Sequence, residues 1–134
     1  MQCIFDSSIW IAYFFVSDSQ HEAALSLFQK ISIEEETVIA VPEYIILEVY
    51  TKLNLLKDRA LALRFLDLLD DHPHRFPVLY FSSTLSANLY QFVRKNGSGK
   101  LSYVDMALLY FSKEYKIVTF DRQLEKLLYA EGAV

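Results

Sequence analysis

Four acidic residues, Asp6, Glu48, Asp105 and Asp121, stand where a metal-dependent reaction can be assembled. Carboxylates gathered at one site repel one another, and this repulsion raises their pKa values unless a cation balances the charge. Mg²⁺ takes hard oxygen ligands and completes its shell with water and phosphate oxygens. Such an ion can polarise a phosphodiester and lower the pKa of an attacking water. We therefore expect a Mg²⁺ site here, with Mn²⁺ as a substitute.

The elements that must position these acids alternate along the chain. Short apolar, β-branched stretches are each followed by segments with apolar residues at helical spacing. The predicted strands are Gln2–Phe5, Val38–Val41, Val78–Phe81 and Ile117–Phe120. This pattern predicts an α/β fold: a three-layer α/β/α sandwich with a central, mainly parallel sheet of four to five strands.

The sheet explains how residues far apart in sequence can meet. Asp6 and Asp121 directly follow the first and fourth predicted strands, and Glu48 lies about two turns into the helix after the second. Asp105 is in the first turn of the helix that leads into the fourth strand, so that turn lies at the same sheet edge. Ligand sites in such folds form at the carboxyl ends of the strands. The sequence predicts that all four acids converge there.

Each acid also has a purely structural interpretation. Asp6 and Asp121 are suitable N-caps, and Asp105 follows Ser102 at the spacing of a capping box. Glu48 and Lys52 are spaced for an i, i+4 ion pair on a helix surface. Only the combination of the four favours a metal site.

Size and charge limit the function classes. The chain has 134 residues, 53% of them hydrophobic, which predicts one domain over residues 1–134. Its longest apolar run, Ile9–Val16, is too short to cross a membrane, and with one cysteine, Cys3, the chain suits the cytoplasm. The net charge of −4 is unusual for a protein that binds nucleic acid.

One segment supplies the missing positive charge. Arg94, Lys95 and Lys100 flank a glycine-containing loop just before the helix that bears Asp105. We expect these side chains to contact RNA phosphates beside the metal, and the alternative is a solvated connection.

Five segments, in this order and spacing, resemble the PIN-domain family, in particular the VapC-type toxins of bacterial and archaeal toxin–antitoxin pairs. They are Ile4–Ser8, His21–Ala24, Val41–Glu48, Leu101–Ala107 and Val118–Asp121. The resemblance covers nearly the whole chain. Family members commonly add a strand after the last helix, which we expect here to be short or absent at Gly132–Val134.

The resemblance implies a metal-dependent endoribonuclease that leaves a 3′-hydroxyl and a 5′-phosphate on single-stranded or loop RNA. It implies Asp6, Glu48, Asp105 and Asp121 as the acidic cluster, with Ser8 and Thr119 supporting the ligands or their waters. For partners we expect a homodimer, since the chain has more apolar residues than one small core can bury, and an antitoxin that covers the acidic groove.

Two other functions compete with this interpretation. A PIN-like module that has lost turnover would serve as an RNA-binding or protein-interaction domain. A receiver-type phosphoacceptor domain is also small and acidic, but it needs an acidic pair at the first strand and a lysine after a late strand. Here Asp6 has no acidic neighbour, and Arg122 follows Asp121. The sequence disfavours the receiver fold.

Overall fold

The structure, a computed structural model, describes residues 2–56 and 58–130. Within them, helices alternate with short strands. The strands are β1 (Gln2–Phe5), β2 (Val38–Ile39), β3 (Val41–Pro42), β4 (Val78–Leu79) and β5 (Lys116–Val118). The helices are α1 (Ser7–Phe14), α2 (His21–Ile33), α3 (Glu43–Leu55), α4 (Arg59–Asp71), α5 (Ser83–Asn96), α6 (Tyr103–Phe111) and α7 (Arg122–Ala130).

All the strand pairings are parallel. β1 lies between β2 and β5, and β3 pairs with β4. Between β2 and β3 lies the single residue Ala40, so the two strands form one extended segment. This segment hydrogen-bonds to β1 on one side, where Ala40 N–H donates to Cys3 O at 2.9 Å. On the other side, Val41 N–H donates to Pro77 O, just before β4, at 2.8 Å. The predicted parallel α/β arrangement is confirmed.

The strands are shorter or shifted relative to the sequence prediction, because side chains form hydrogen bonds at the strand ends. The predicted strand Val78–Phe81 ends at Leu79, and Phe81 N–H donates to the Glu43 carboxylate at 2.7 Å. The predicted strand Ile117–Phe120 ends at Val118. The next residue, Thr119, donates a hydrogen bond from its side chain to Asp6. A further strand at Gly132–Val134 would lie outside the described residues.

The helix starts follow the capping side chains in most cases. Asp58, Ser82 and Ser102 accept from backbone N–H groups at the starts of α4, α5 and α6. Before α2, Asp18 Oδ1 accepts from Gln20 N–H at 2.8 Å and holds a turn ahead of His21, where the helix begins. Pro42 is the N-cap residue of α3.

An aromatic cluster occupies the core on one side of the sheet. Trp10 is fully buried, with its ring centroid 5.4 Å from that of Phe65 and 5.3 Å from that of Phe28. These edge-on contacts fix α1 against α2 and α4, and thereby fix the end of β1 from which Asp6 projects. The Cys3 thiol is buried in the same core, as expected. Among the described residues, no helix has the length and apolar character needed to cross a membrane.

Candidate active site

At the carboxyl edge of the sheet, the charges of the four acids affect one another's pKa values or surroundings. Burial raises the pKa of Asp6, and the carboxylates of Asp105 and Asp121 raise it further. Burial also raises the pKa of Glu48, and Asp6 and Asp105 add to this effect while Lys52 opposes it. Each acid thus acts on at least one other. The charges of Asp6, Glu48, Asp105 and Asp121 thus influence one another at this edge, and their joint role in binding a metal stays a prediction.

Thr119 connects the ends of β1 and β5. Its Oγ1 donates to Asp6 Oδ2 at 2.9 Å and accepts from Asp121 N–H at 3.0 Å. The other Asp6 oxygen, Oδ1, accepts from Ser7 N–H at 2.7 Å. Asp6 N–H donates to Val118 O at 2.9 Å, which continues the parallel ladder to the site. Thr119 is itself buried, so this hydrogen-bonded connection is shielded from water.

Asp105 and Asp121 hold the starts of their helices, as the structural interpretation of the sequence required. Asp105 Oδ2 accepts from Ser102 N–H at 3.2 Å, and Ser102 Oγ accepts from Asp105 N–H at 3.1 Å, which completes a capping box. Asp121 Oδ1 accepts from Gln123 N–H at 2.9 Å and from Leu124 N–H at 3.2 Å. In each carboxylate these bonds use one oxygen, so a cap and a ligand role are compatible.

Three buried oxygens near Asp6 have no hydrogen-bond partner: Ser8 Oγ, Tyr44 OH and Glu48 Oε1. Buried polar atoms are normally hydrogen-bonded, and an unpaired carboxylate oxygen is costly. Tyr44 was missed by the sequence analysis. It precedes Glu48 by one helical turn, and burial together with the charges of Asp6, Glu48 and Asp105 raises its pKa. The spacing of four residues to Glu48 was the available signal.

The donors fit a hard divalent cation, but they do not form a closed set of ligands. In the described part of the chain, no three side chains of His, Cys, Asp or Glu converge closely enough to hold a metal ion together. Mg²⁺ usually keeps several waters and takes only one or two carboxylates from the protein. Carboxylate oxygens at this edge, with Glu48 Oε1 unpaired, match that requirement.

The three cations expected to contact RNA are exposed at the end of α5 and in the loop after it. Arg94 donates from its guanidinium to Tyr90 OH at 3.2 Å and lies 5.7 Å from the centroid of the Tyr90 ring. Lys95 and Lys100 are exposed. The loop ends at Ser102, the N-cap of the helix that bears Asp105, so these charges neighbour the acidic edge.

A cleft of about 370 Å³ opens beside Glu48. Its walls come from the start of α1, the turn before α2, the side of α3 and the residue after Thr119. Its lining includes Ser8, Asp18, Gln20, Lys52 and Phe120. Sequence analysis assigned no role to Asp18, Gln20 or Phe120.

Comparisons with known proteins agree with this fold. The model of the family described as PIN domain matches residues 3–127. A crystal structure of Mycobacterium tuberculosis VapC20, described as a sarcin–ricin loop cleaving toxin, is similar, with a TM-score of 0.71 and 16% sequence identity over 93% of this chain and 94% of that one. At that identity the likeness concerns the fold. A search of curated proteins found no match.

The unpaired oxygen of Glu48 makes a prediction about stability. At pH 7 without divalent cations, we expect Glu48→Gln to raise the free energy of unfolding by up to about 1 kcal/mol, because it removes an uncompensated charge. The folded-state pKa of Glu48 is raised, so the penalty is absent below the ordinary carboxyl pKa, grows between that value and the raised one, and is constant above it. Urea denaturation between pH 4 and pH 8, in EDTA, measures this difference.

Glu114→Gln, a change at an exposed glutamate, is the matched control and should leave the stability nearly constant. With added Mg²⁺, the wild type should gain more stability than the Glu48→Gln protein. A Glu48→Gln protein that is less stable than the wild type across this pH range would contradict the prediction.

Proposed function

This chain belongs to the PIN-domain family, and on that premise we propose that it is a Mg²⁺-dependent endoribonuclease that cleaves single-stranded or loop RNA. The observation that carries the proposal is the mutual charge coupling of Asp6, Glu48, Asp105 and Asp121 at one sheet edge. The toxin activity named for the structurally similar VapC20 supports the further proposal that this chain is the toxin of a toxin–antitoxin pair.

The side chains have separable tasks in the proposed reaction. Asp6, Glu48, Asp105 and Asp121 would hold a divalent cation, which would supply Lewis-acid activation of the phosphodiester and of the attacking water. Thr119 orients the carboxylate of Asp6 and Ser102 N–H orients that of Asp105, so that these two carboxylates need little reorganisation. Glu48, whose pKa is raised, is suited to accept a proton from a water at Oε1. Ser8 Oγ is free to support a ligand or a water.

The alternative function is a PIN-like module without turnover. Asp6, Asp105 and Asp121 all accept hydrogen bonds from backbone at the starts of helices. The described residues also lack a closed set of metal ligands. These two observations favour a PIN-like module without turnover, which would bind RNA or a protein.

Cleavage of a structured-RNA panel separates the two functions. We expect wild-type protein to cleave with Mg²⁺ and to stop on addition of EDTA. Asp6→Asn and Asp105→Asn should each lower the rate by about 100-fold or more, because the amide keeps an acceptor for the cap but removes the charge that binds the cation. Asp67→Asn, a change at an exposed aspartate of α4, is the matched control and should cleave at the wild-type rate.

Cleavage that survives EDTA or both substitutions would rule out this site. RNA binding by wild type with no cleavage under any of these conditions would favour the module without turnover.

The basic segment resolves the conflict between a net charge of −4 and a polyanionic substrate. We propose that Arg94, Lys95 and Lys100 contact phosphates on the RNA next to the scissile one. Each phosphate contact releases counterions from the nucleic acid, so the contribution of the segment depends on salt concentration.

Replacing all three cations with Ala should therefore weaken RNA binding and flatten its salt dependence. For three contacts to a single strand, the slope of log K against log salt should fall in magnitude by about 2. Filter binding in EDTA, with salt varied, measures the slope without cleavage. Alanine at Lys30, Arg59 and Arg64 removes three cations elsewhere and is the control. An unchanged slope in the loop variant would show that the segment is only a solvated connection.

We propose that a homodimer buries apolar residues that the fold leaves outside the core. Leu47 and Leu55 lie two turns apart on α3 and are 68% and 74% exposed, and Leu63 on the adjacent α4 is 39% exposed. Large apolar side chains exposed on two packed helices are the kind of residues that a dimer interface would bury. An antitoxin that covers the acidic edge is the second proposed partner.

Light scattering at micromolar concentration should give about twice the chain mass of 15.6 kDa. The double variant Leu47→Lys, Leu55→Lys should give the monomer mass, because the free energy of burying the ammonium groups exceeds the stabilisation from the interface. Ile33→Lys, at the exposed end of α2, is the control and should stay dimeric. A monomeric wild type would exclude the dimer.

A further inference from the structure

The cleft beside Glu48 has a composition that neither the acidic cluster nor the basic loop explains. It combines the flexible amide of Gln20, the ring of Phe120, the hydroxyl of Ser8 and the carboxylate of Asp18. Its single cation is Lys52, one turn beyond Glu48 on α3. A cleft with two carboxylates and one ammonium is poorly suited to hold a phosphate by itself.

The same groups suit the neutral part of a nucleotide. An aromatic face stacks on a base, and an amide side chain can hydrogen-bond to base edges. Carboxylates accept hydrogen bonds from ribose hydroxyls, including the 2′-hydroxyl that distinguishes RNA from DNA. A volume of about 370 Å³ lies near the lower end of the range for small-molecule sites, so it holds one such unit rather than a longer segment.

The position of the cleft connects it to the acidic edge. Phe120 lies between Thr119 and Asp121, and Glu48 belongs to both the cleft wall and the acidic cluster. Ser8 Oγ, buried and without a partner, is available from the same wall. A nucleoside in the cleft would therefore leave its phosphate at the acidic edge.

We propose that this cleft is a ribonucleoside subsite, in which Phe120 stacks on the base, Gln20 contacts the base edge, and Asp18 with Glu48 accepts from the ribose hydroxyls. Lys52 stands at the rim and attracts the attached phosphate. The assignment rests on the proposed ribonuclease function and adds the groups that position the nucleotide next to the scissile bond.

Two of these side chains can be changed with little risk to the fold. Gln20 and Lys52 are both exposed, and the hydrogen bond of Gln20 in its turn comes from its backbone N–H. Gln29 and Lys30 are exposed residues of α2 outside the cleft wall, and they offer the same two residue types for control variants. Phe120→Leu keeps apolar volume where the ring packs against the core, and it removes the stacking face.

Binding of the four nucleosides and their 2′-deoxy forms, followed by NMR in the presence of Mg²⁺, tests the subsite without cleavage. We expect shifts at Gln20 and Phe120, and affinity about 5-fold higher for at least one ribonucleoside than for its deoxy form. Gln20→Ala and Phe120→Leu should each weaken that binding by about 10-fold, whereas Gln29→Ala should leave it within 2-fold. Equal binding of ribo- and deoxynucleosides, or equal binding by the cleft variants and wild type, would overturn the proposal.

Cleavage of a short oligoribonucleotide then separates the subsite from the proposed activity. Gln20→Ala and Lys52→Gln should raise KM by about 10-fold with little change in kcat, and Lys30→Gln should change neither. RNA cleavage without nucleoside binding in the cleft would leave the nuclease standing and remove the subsite. Ribonucleoside binding by a protein that cleaves no RNA would leave the subsite standing and remove the nuclease.

Discussion

Repulsion among carboxylates is the constraint on which this site depends. Asp6 is held by Ser7 and Thr119, and both bonds favour its charged form, yet burial and the charges of Asp105 and Asp121 raise its pKa. Hydrogen bonds thus stabilise the charged carboxylate of Asp6, whereas burial and the neighbouring carboxylates destabilise it. The surrounding core fixes the strand ends against this repulsion, and the cation of the proposed function would relieve the repulsion that remains.

Thr119 shows how the fold converts this constraint into a defined geometry. The residue is one position past the end of β5, and its hydroxyl serves Asp6 and the backbone of Asp121 at once. Because β1 and β5 are parallel neighbours, their ends arrive at the same edge without any further connection. The aromatic packing of Trp10 against Phe65 then fixes α1, which carries Ser7 and Ser8. Packing far from the acids therefore sets the position of Asp6.

The sequence was sufficient for the order and type of the elements, because these follow local rules. Apolar periodicity located the helices, and the capping pattern at Ser102 and Asp105 is realised as expected. It was insufficient where a distant side chain decides the outcome. The end of β4 depends on Glu43, and the environment of Tyr44 depends on acids from two other segments as well as on Glu48 of its own helix. The cleft was also invisible, since its wall joins residues from α1, α3 and the ends of two connections.

The separation of charge over the surface suggests how an acidic protein can select RNA. Three of its cations, Arg94, Lys95 and Lys100, lie just before α6, and four of its acids lie at the sheet edge. In the proposed function these three cations attract the polyanion next to the site, while the net negative charge of the chain opposes its approach. In the proposed function, an RNA strand that reaches the edge would contact the loop, the bound cation and the cleft together. The net charge of −4 would then contribute to selectivity, because it opposes RNA binding that lacks these contacts.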